Sequence, residues 1–140
     1  VDQMEDLTVT PALESGARAF ELAGYGPSDM DLVNLYDAFT INTILFLEDL
    51  GFCTKGEGGQ FVADGRIAPN GALPVNTNGG GLSCCHPGMY GLFTIVENCK
   101  QLRGQAGDRQ IADARLALSH ANGGTLSSQA TLVLGTEETL

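Results

Sequence analysis

Apolar spacing along this chain switches repeatedly between helical and strand periods, which drives it toward an α/β layer in which helices cover a mixed sheet. Thr10-Pro11 is a cap followed by a first-turn proline. Leu13, Ala17 and Phe20 then recur at helical spacing until Gly24 and Gly26-Pro27 end the pattern. Residues 32–36 form a short apolar run that reads as a strand. Thr40 opens a second helix through Ile41, Ile44, Leu45 and Leu47, stopped by Gly51. Between Lys55 and Leu82 stand eight glycines and two prolines, so a long loop region surrounds one short extended segment at residues 71–76. Loops of that length are usually functional. A third helix is expected from near Pro87, with Met89, Leu92, Phe93, Val96 and Cys99 on one face. Residues 114–119 and 129–135 read as two final strands, paired antiparallel through a turn at Asn122-Gly123-Gly124.

The 140 residues suit one domain, 1–140, with a real core. A net charge of −10 and seven scattered basic residues make nucleic acid a poor partner. No apolar run approaches the roughly 18 residues of a membrane helix, and no basic-then-apolar leader opens the chain, so a soluble, cytoplasmic protein is expected. The four cysteines lack paired CxxC spacing, which leaves reduced thiols as the default. Neither a zinc site nor a phosphate loop can be assembled from these residues, and no metal is expected.

Three polar clusters fall where strands should end: Tyr36-Asp37-Ala38-Phe39, Cys84-Cys85-His86-Pro87-Gly88 and Ser119-His120-Ala121-Asn122-Gly123-Gly124. Strand ends are where α/β folds build sites, and both histidines of the chain lie in these clusters. His86, before an expected helix start, either caps that helix or serves a developing oxyanion or a proton transfer. His120, between a strand and a Gly123-Gly124 turn, either supports the turn or projects into a cleft where the backbone passes close to a ligand. Tyr36 offers a phenol as general acid or oxyanion donor, or is satisfied by backbone. Asp37 caps the following helix or faces a ligand. A Cys84 or Cys85 nucleophile paired with His86 is disfavoured, because adjacent residues seldom present their side chains to one another.

In this order and spacing the clusters resemble the C-terminal motifs of thiolases, especially the sterol-carrier or lipid-transfer-protein type. Tyr36-Asp37-Ala38-Phe39 stands where that family has its NEAF or HDCF box, Cys85-His86-Pro87 where it has GHP, and Leu118 to His120 with the following glycines where it has its terminal CxG or HNxG box. Asn78-Gly79-Gly80-Gly81 and Gln101-Leu102-Arg103-Gly104 also look like family sequence.

The resemblance implies a thiolase-like C-terminal domain whose N-terminal half, with the nucleophilic cysteine, lies outside this chain; alone the domain is expected to be inactive. It implies catalytic roles for Tyr36, His86 and His120, with substrate binding at Asp37, Gly80, Gly81, Tyr90, Gly123 and Gly124. The substrate would be a coenzyme A thioester, with no covalently bound cofactor. Tyrosine at the first motif looks more like the actinobacterial lipid-transfer proteins, some of which are retro-aldolases on β-hydroxyacyl-CoA in sterol side-chain breakdown. The complete enzyme is expected to make or break a carbon–carbon bond beside a thioester carbonyl, as an acyltransferase of the thiolase kind or as a retro-aldolase. A homodimer and a small OB-fold, zinc-ribbon partner are further expectations of the resemblance. The rival is a non-catalytic lipid-transfer or scaffold domain of the same fold.

Overall fold

The computed structural model describes residues 4–139. Its first helix, α1 (Ala12–Ala23), starts where Thr10 Oγ1 accepts the amide of Ala12 and stops at Gly24, whose φ of 73° only glycine adopts freely. The buried stripe of α1 is Ala12, Gly16 and Phe20, while Leu13 is exposed, so the core-facing side lies one residue round from the expected one. Gly16 explains the shift: a Cβ there would meet Leu50 Cδ2 at 2.6 Å, so α1 approaches its neighbour through its smallest residues.

Strand β1 (Leu32–Leu35) is buried along its whole length, as a strand covered on both faces must be. Helix α2 (Thr40–Asp49) follows. The glycine-rich region holds one short helix, α3 (Gly58–Phe61), a parallel bridge from Val75 to Val33, and a second short helix, α4 (Gly80–Ser83). The long helix α5 (Gly91–Leu102) then leads to β2 (Leu116–Gly123) and β3 (Ser128–Gly135). The sheet order is β1-β2-β3: β1 runs parallel to β2, with Leu35 opposite His120, and β2 runs antiparallel to β3. The expected mixed sheet under helices is the fold observed.

Two layers flank this sheet. The side toward α1 and α2 is the apolar core, built from Phe20, Val33, Leu35, Phe46, Leu47 and Leu118. The side toward α5 is held by polar groups instead. Asn98 donates to the Leu118 carbonyl and to Ser119 Oγ, and its Oδ1 accepts from Asn34. Glu97, 3% exposed, accepts from Thr77, Gln101 and Arg109. The amphipathic helix is therefore reversed from the sequence expectation, which counted apolar residues. Thr94, Glu97, Asn98 and Gln101 are buried, and Met89, Leu92, Phe93 and Val96 are exposed. Hydrogen bonding decides the orientation, because the side-chain amides and the carboxylate satisfy groups that leucine could not.

Gly91 seats the first turn of α5 on β2, where an added Cβ would lie 2.5 Å from Ala121 Cβ. Gly91→Ala is expected to lower stability by about 1–3 kcal/mol through overpacking, read as a reduced urea midpoint; an unchanged midpoint would show that this contact does not set the helix position.

Candidate functional site

Tyr36 is the residue at which β1 leaves the sheet. Its amide still donates to the carbonyl of His120 at 2.9 Å, so its backbone is tied to β2 while its side chain lies beyond the last rung. The ring is buried, edge-on to Tyr90 at 5.4 Å between centroids and edge-on to His86 at 5.7 Å. Its hydroxyl lies 3.1 Å from His86 Nδ1, within hydrogen-bond reach. Burial first, and the adjacent Asp37 carboxylate second, raise the Tyr36 phenol above its ordinary value, so it stays protonated through neutral pH.

His86 itself is exposed, in the loop between α4 and α5. Because α5 begins at Gly91, His86 does not stand against that helix's first amides, and its expected capping position is not observed. Tyr36 and His86 both line a cleft of about 480 Å³, together with Ala38, Phe39, Asn42, Asn122, Gly123 and Gly124. A second, more apolar hollow of about 320 Å³ shares Tyr36, Gly88 and Asn122 with it and runs along Met89, Leu92, Ala121 and Leu132.

Not every residue singled out from sequence arrives at the cleft. Strand β2 continues to Gly123, so His120 is a strand residue rather than the start of a turn. Alternation turns it away from Ser119, which meets α5, and toward α2. There its ring packs edge-on to Phe46 at 4.6 Å and is fully buried. Both ring nitrogens are occupied, Nδ1 by Thr131 Oγ1 and Nε2 by Gln129 Oε1, each at 2.8 Å. Burial lowers its pKa to about 4, so it is neutral at physiological pH.

Asp37 is likewise buried and occupied: its carboxylate accepts the Gly81 amide at 2.6 Å and caps α4. Gly80, with a φ of 71°, is glycine for the same reason, since a Cβ there would collide with that carboxylate; Gly81 abuts it as well. Tyr90 donates to Asn78 Oδ1 at 3.1 Å and forms a wall behind Tyr36. Of the expected binding positions, Gly123 and Gly124 lie at the cleft.

Two asparagines belong to the cleft that the motif spacing did not single out for it. Asn42 sits within α2 and is 2% exposed; a polar residue inside an apolar helical run was its only sequence signal. Asn122, read as a turn residue, lines both hollows, and its Oδ1 is buried without a partner. The adjacent thiols do not supply an activated nucleophile: Cys84 Sγ lies 3.6 Å from Cys85 Sγ, and this contact raises the Cys85 pKa. Among the described residues no cluster of His, Cys, Asp or Glu could hold a metal ion, and no helix is long and apolar enough to cross a membrane.

This geometry defines an α/β domain that carries a phenol–imidazole pair in a cleft beyond a strand's carboxyl end. Residues 1–136 match the family model described as thiolase C-terminal domain-like, and the chain belongs to that family. It is 45% identical over 122 residues to an acetyl-CoA acetyltransferase of Methanothermobacter thermautotrophicus, an alignment covering 86% of this chain and 32% of that protein. It is 44% identical over 89 residues to a 17-hydroxy-3-oxo-4-pregnene-20-carboxyl-CoA lyase of Mycobacterium tuberculosis, covering 64% of this chain and 22% of the lyase. The solved structure of an Ltp2-ChsH2(DUF35) aldolase superposes with a TM-score of 0.86 at 33% identity, over 96% of this chain and 34% of that one. The chain thus spans about a third or less of the length of these relatives.

The buried neutral His120 has a consequence for stability. In the unfolded chain it takes up a proton as pH falls below about 6.5, whereas the folded form resists until about 4. Its contribution is therefore intact above pH 6.5 and is lost progressively as pH falls toward 4, by about 3 kcal/mol in all. Urea unfolding at pH 7 and pH 4.5 should show this loss in the natural chain and a smaller one in His120→Gln; equal losses would show that other groups carry it.

Proposed function

We propose that this domain is the C-terminal part of an enzyme that makes or breaks a carbon–carbon bond beside the carbonyl of an acyl-coenzyme A thioester. The hydrogen bond between the Tyr36 hydroxyl and His86 Nδ1 carries this assignment. A protonated phenol whose oxygen touches an imidazole can pass a proton between substrate and ring, as reactions through an enolate require. The acetyltransferase and the lyase among the relatives both have coenzyme A thioester chemistry in their names, which supports the substrate class.

Within that class we favour retro-aldol cleavage of a β-hydroxyacyl thioester, of the kind used on sterol side chains. The β-hydroxyl proton passes to the Tyr36–His86 pair, the bond between the α- and β-carbons breaks, and its electron pair forms the thioester enolate. Acyl transfer needs a thiolate nucleophile instead. Cys85, its pKa raised by Cys84, is a poor one, so that cysteine would come from the other half of the protein.

The same assignment accounts for the exposed apolar side of α5. Met89, Leu92, Phe93 and Val96, with Leu82 and Leu132 nearby in the chain and the sheet, are covered in the complete protein by its N-terminal half. The isolated domain is then inactive. A partner protein fits the two-component name of the aldolase structure; its being a small OB-fold, zinc-ribbon protein, and a homodimer of the complete chain, are part of the same proposal. A non-catalytic lipid-carrying domain is favoured by one observation, the burial of His120, but leaves the Tyr36–His86 pair in an open cleft without a purpose.

Tyr36→Phe keeps the packing against Tyr90 and removes only the hydroxyl. In the complete chain, release of propionyl-CoA or acetyl-CoA from a β-hydroxyacyl-CoA is expected to fall about 10²- to 10⁴-fold with the melting temperature unchanged. Unaltered turnover would remove Tyr36 from the reaction.

A further inference from the structure

We infer that Asn42 is an oxyanion donor: its carboxamide Nδ2 hydrogen-bonds the thioester oxygen of the substrate as that oxygen takes up negative charge. The inference rests on the carbon–carbon bond chemistry proposed above and names the group that would hold the enolate.

Asn42 is 2% exposed, yet its side-chain amide makes no hydrogen bond to any described residue, and it lines the cleft that holds Tyr36 and His86. Buried amides in folded proteins are almost always paired, so one left open toward a cleft points to a ligand atom as its partner. An asparagine can offer a donor or an acceptor, and the surroundings select between them. Asn42 belongs to the first turn of the ten-residue α2, whose N-cap residue is Phe39, and Phe39 provides no side-chain acceptor. The positive end of that helix is therefore uncompensated next to the cleft.

The cleft also contains no Asp or Glu, although the chain as a whole carries a net charge of −10. Asp37, the nearest carboxylate in sequence, is committed to the Gly81 amide of α4. An amide without a protein partner that lines the cleft, an uncapped helix start and an absence of carboxylates together favour an oxygen that becomes anionic. During cleavage the electron pair of the breaking bond moves onto the thioester unit, and its oxygen becomes the enolate oxygen that Asn42 holds. The proton taken by the Tyr36–His86 pair then returns to the α-carbon. Asn42 forms and breaks no covalent bond.

The test uses the complete chain that carries this domain, with propionyl-CoA as the probe. Reversal of the last step forms the same enolate, so α-hydrogens exchange with solvent deuterium at a rate that reads enolate stabilisation by mass spectrometry. Asn42→Ala is expected to slow exchange about 10²- to 10³-fold, while the Kd for propionyl-CoA changes by less than about threefold. The isosteric Asn42→Asp, which replaces the donor by a carboxylate, is expected to slow it at least as much. Exchange at the natural rate in either variant, or affinity and exchange falling in parallel, would overturn the assignment.

If the variants do not fold, the natural chain still decides. A coenzyme A-linked nitronate, an anionic mimic of the enolate, is expected to bind at least about tenfold more tightly than propionyl-CoA, and equal affinities would overturn the role of Asn42. A natural chain that neither binds propionyl-CoA nor exchanges its α-hydrogens would overturn the function proposed above, and this inference with it.

Discussion

The parallel pairing of β1 with β2 is the constraint from which the rest of the cleft follows. Its register puts Leu35 opposite His120, and one more hydrogen bond, from the Tyr36 amide to the His120 carbonyl, ends the ladder. Up to that bond every side chain must fit a buried sheet. Beyond it the chain is free to turn, which sends the Tyr36 ring toward His86 and the Asp37 carboxylate toward the amides of α4. Tyr36 and His120 thus touch through their backbones while their side chains do different work. A shift of one residue in this register would exchange the two buried faces of β1, turning Asn34 toward the apolar core and Val33 and Leu35 toward the polar network of α5, and dismantle both the core and the cleft.

The two sides of the sheet are stabilised by different means. Toward α1 and α2 the contacts are apolar, and the one buried imidazole there is matched by two partners from β3. Toward α5 the contacts are a network of amides and one carboxylate, with Arg109 closing it 3.0 Å from Glu97. A network of this kind tolerates only one arrangement, because each member left unpaired in a buried position costs about 1–3 kcal/mol. It therefore fixes the rotation of α5 about its own axis. Tyr90, at the amino end of that helix, backs the Tyr36 ring, so helix orientation and site geometry are linked.

The layered α/β architecture was legible in the sequence because alternating periods and glycine stops are local signals. The strands and the starts of α1 and α2 fell close to their expected positions. The buried faces of α1 and α5 were not legible. In α1 the core side is chosen by Gly16, whose value is its lack of a side chain, and in α5 by polar residues that an apolar count discards. His120 was misplaced because a Gly123-Gly124 pair reads as a turn, whereas β2 runs on to Gly123 and the backbone turns only at Gly124, Thr125 and Leu126, each with positive φ. Tyr36 and His86 were singled out from motif spacing, but their contact depends on a loop that no local pattern predicts. Asn42 carries no motif at all; only the fold brings it to the lining of the cleft.

What separates the two histidines is therefore their chemical setting: His86 is exposed at the cleft with a phenol on Nδ1, and His120 is sealed in the core with both nitrogens occupied. Nitrogen-detected NMR of the imidazoles in the complete chain, with and without an acyl-CoA thioester, tests this division directly. If Tyr36 and His86 form the site, the ligand shifts both ring nitrogens of His86 and leaves those of His120 in place. A ligand that moves the His120 nitrogens and leaves His86 untouched would contradict it.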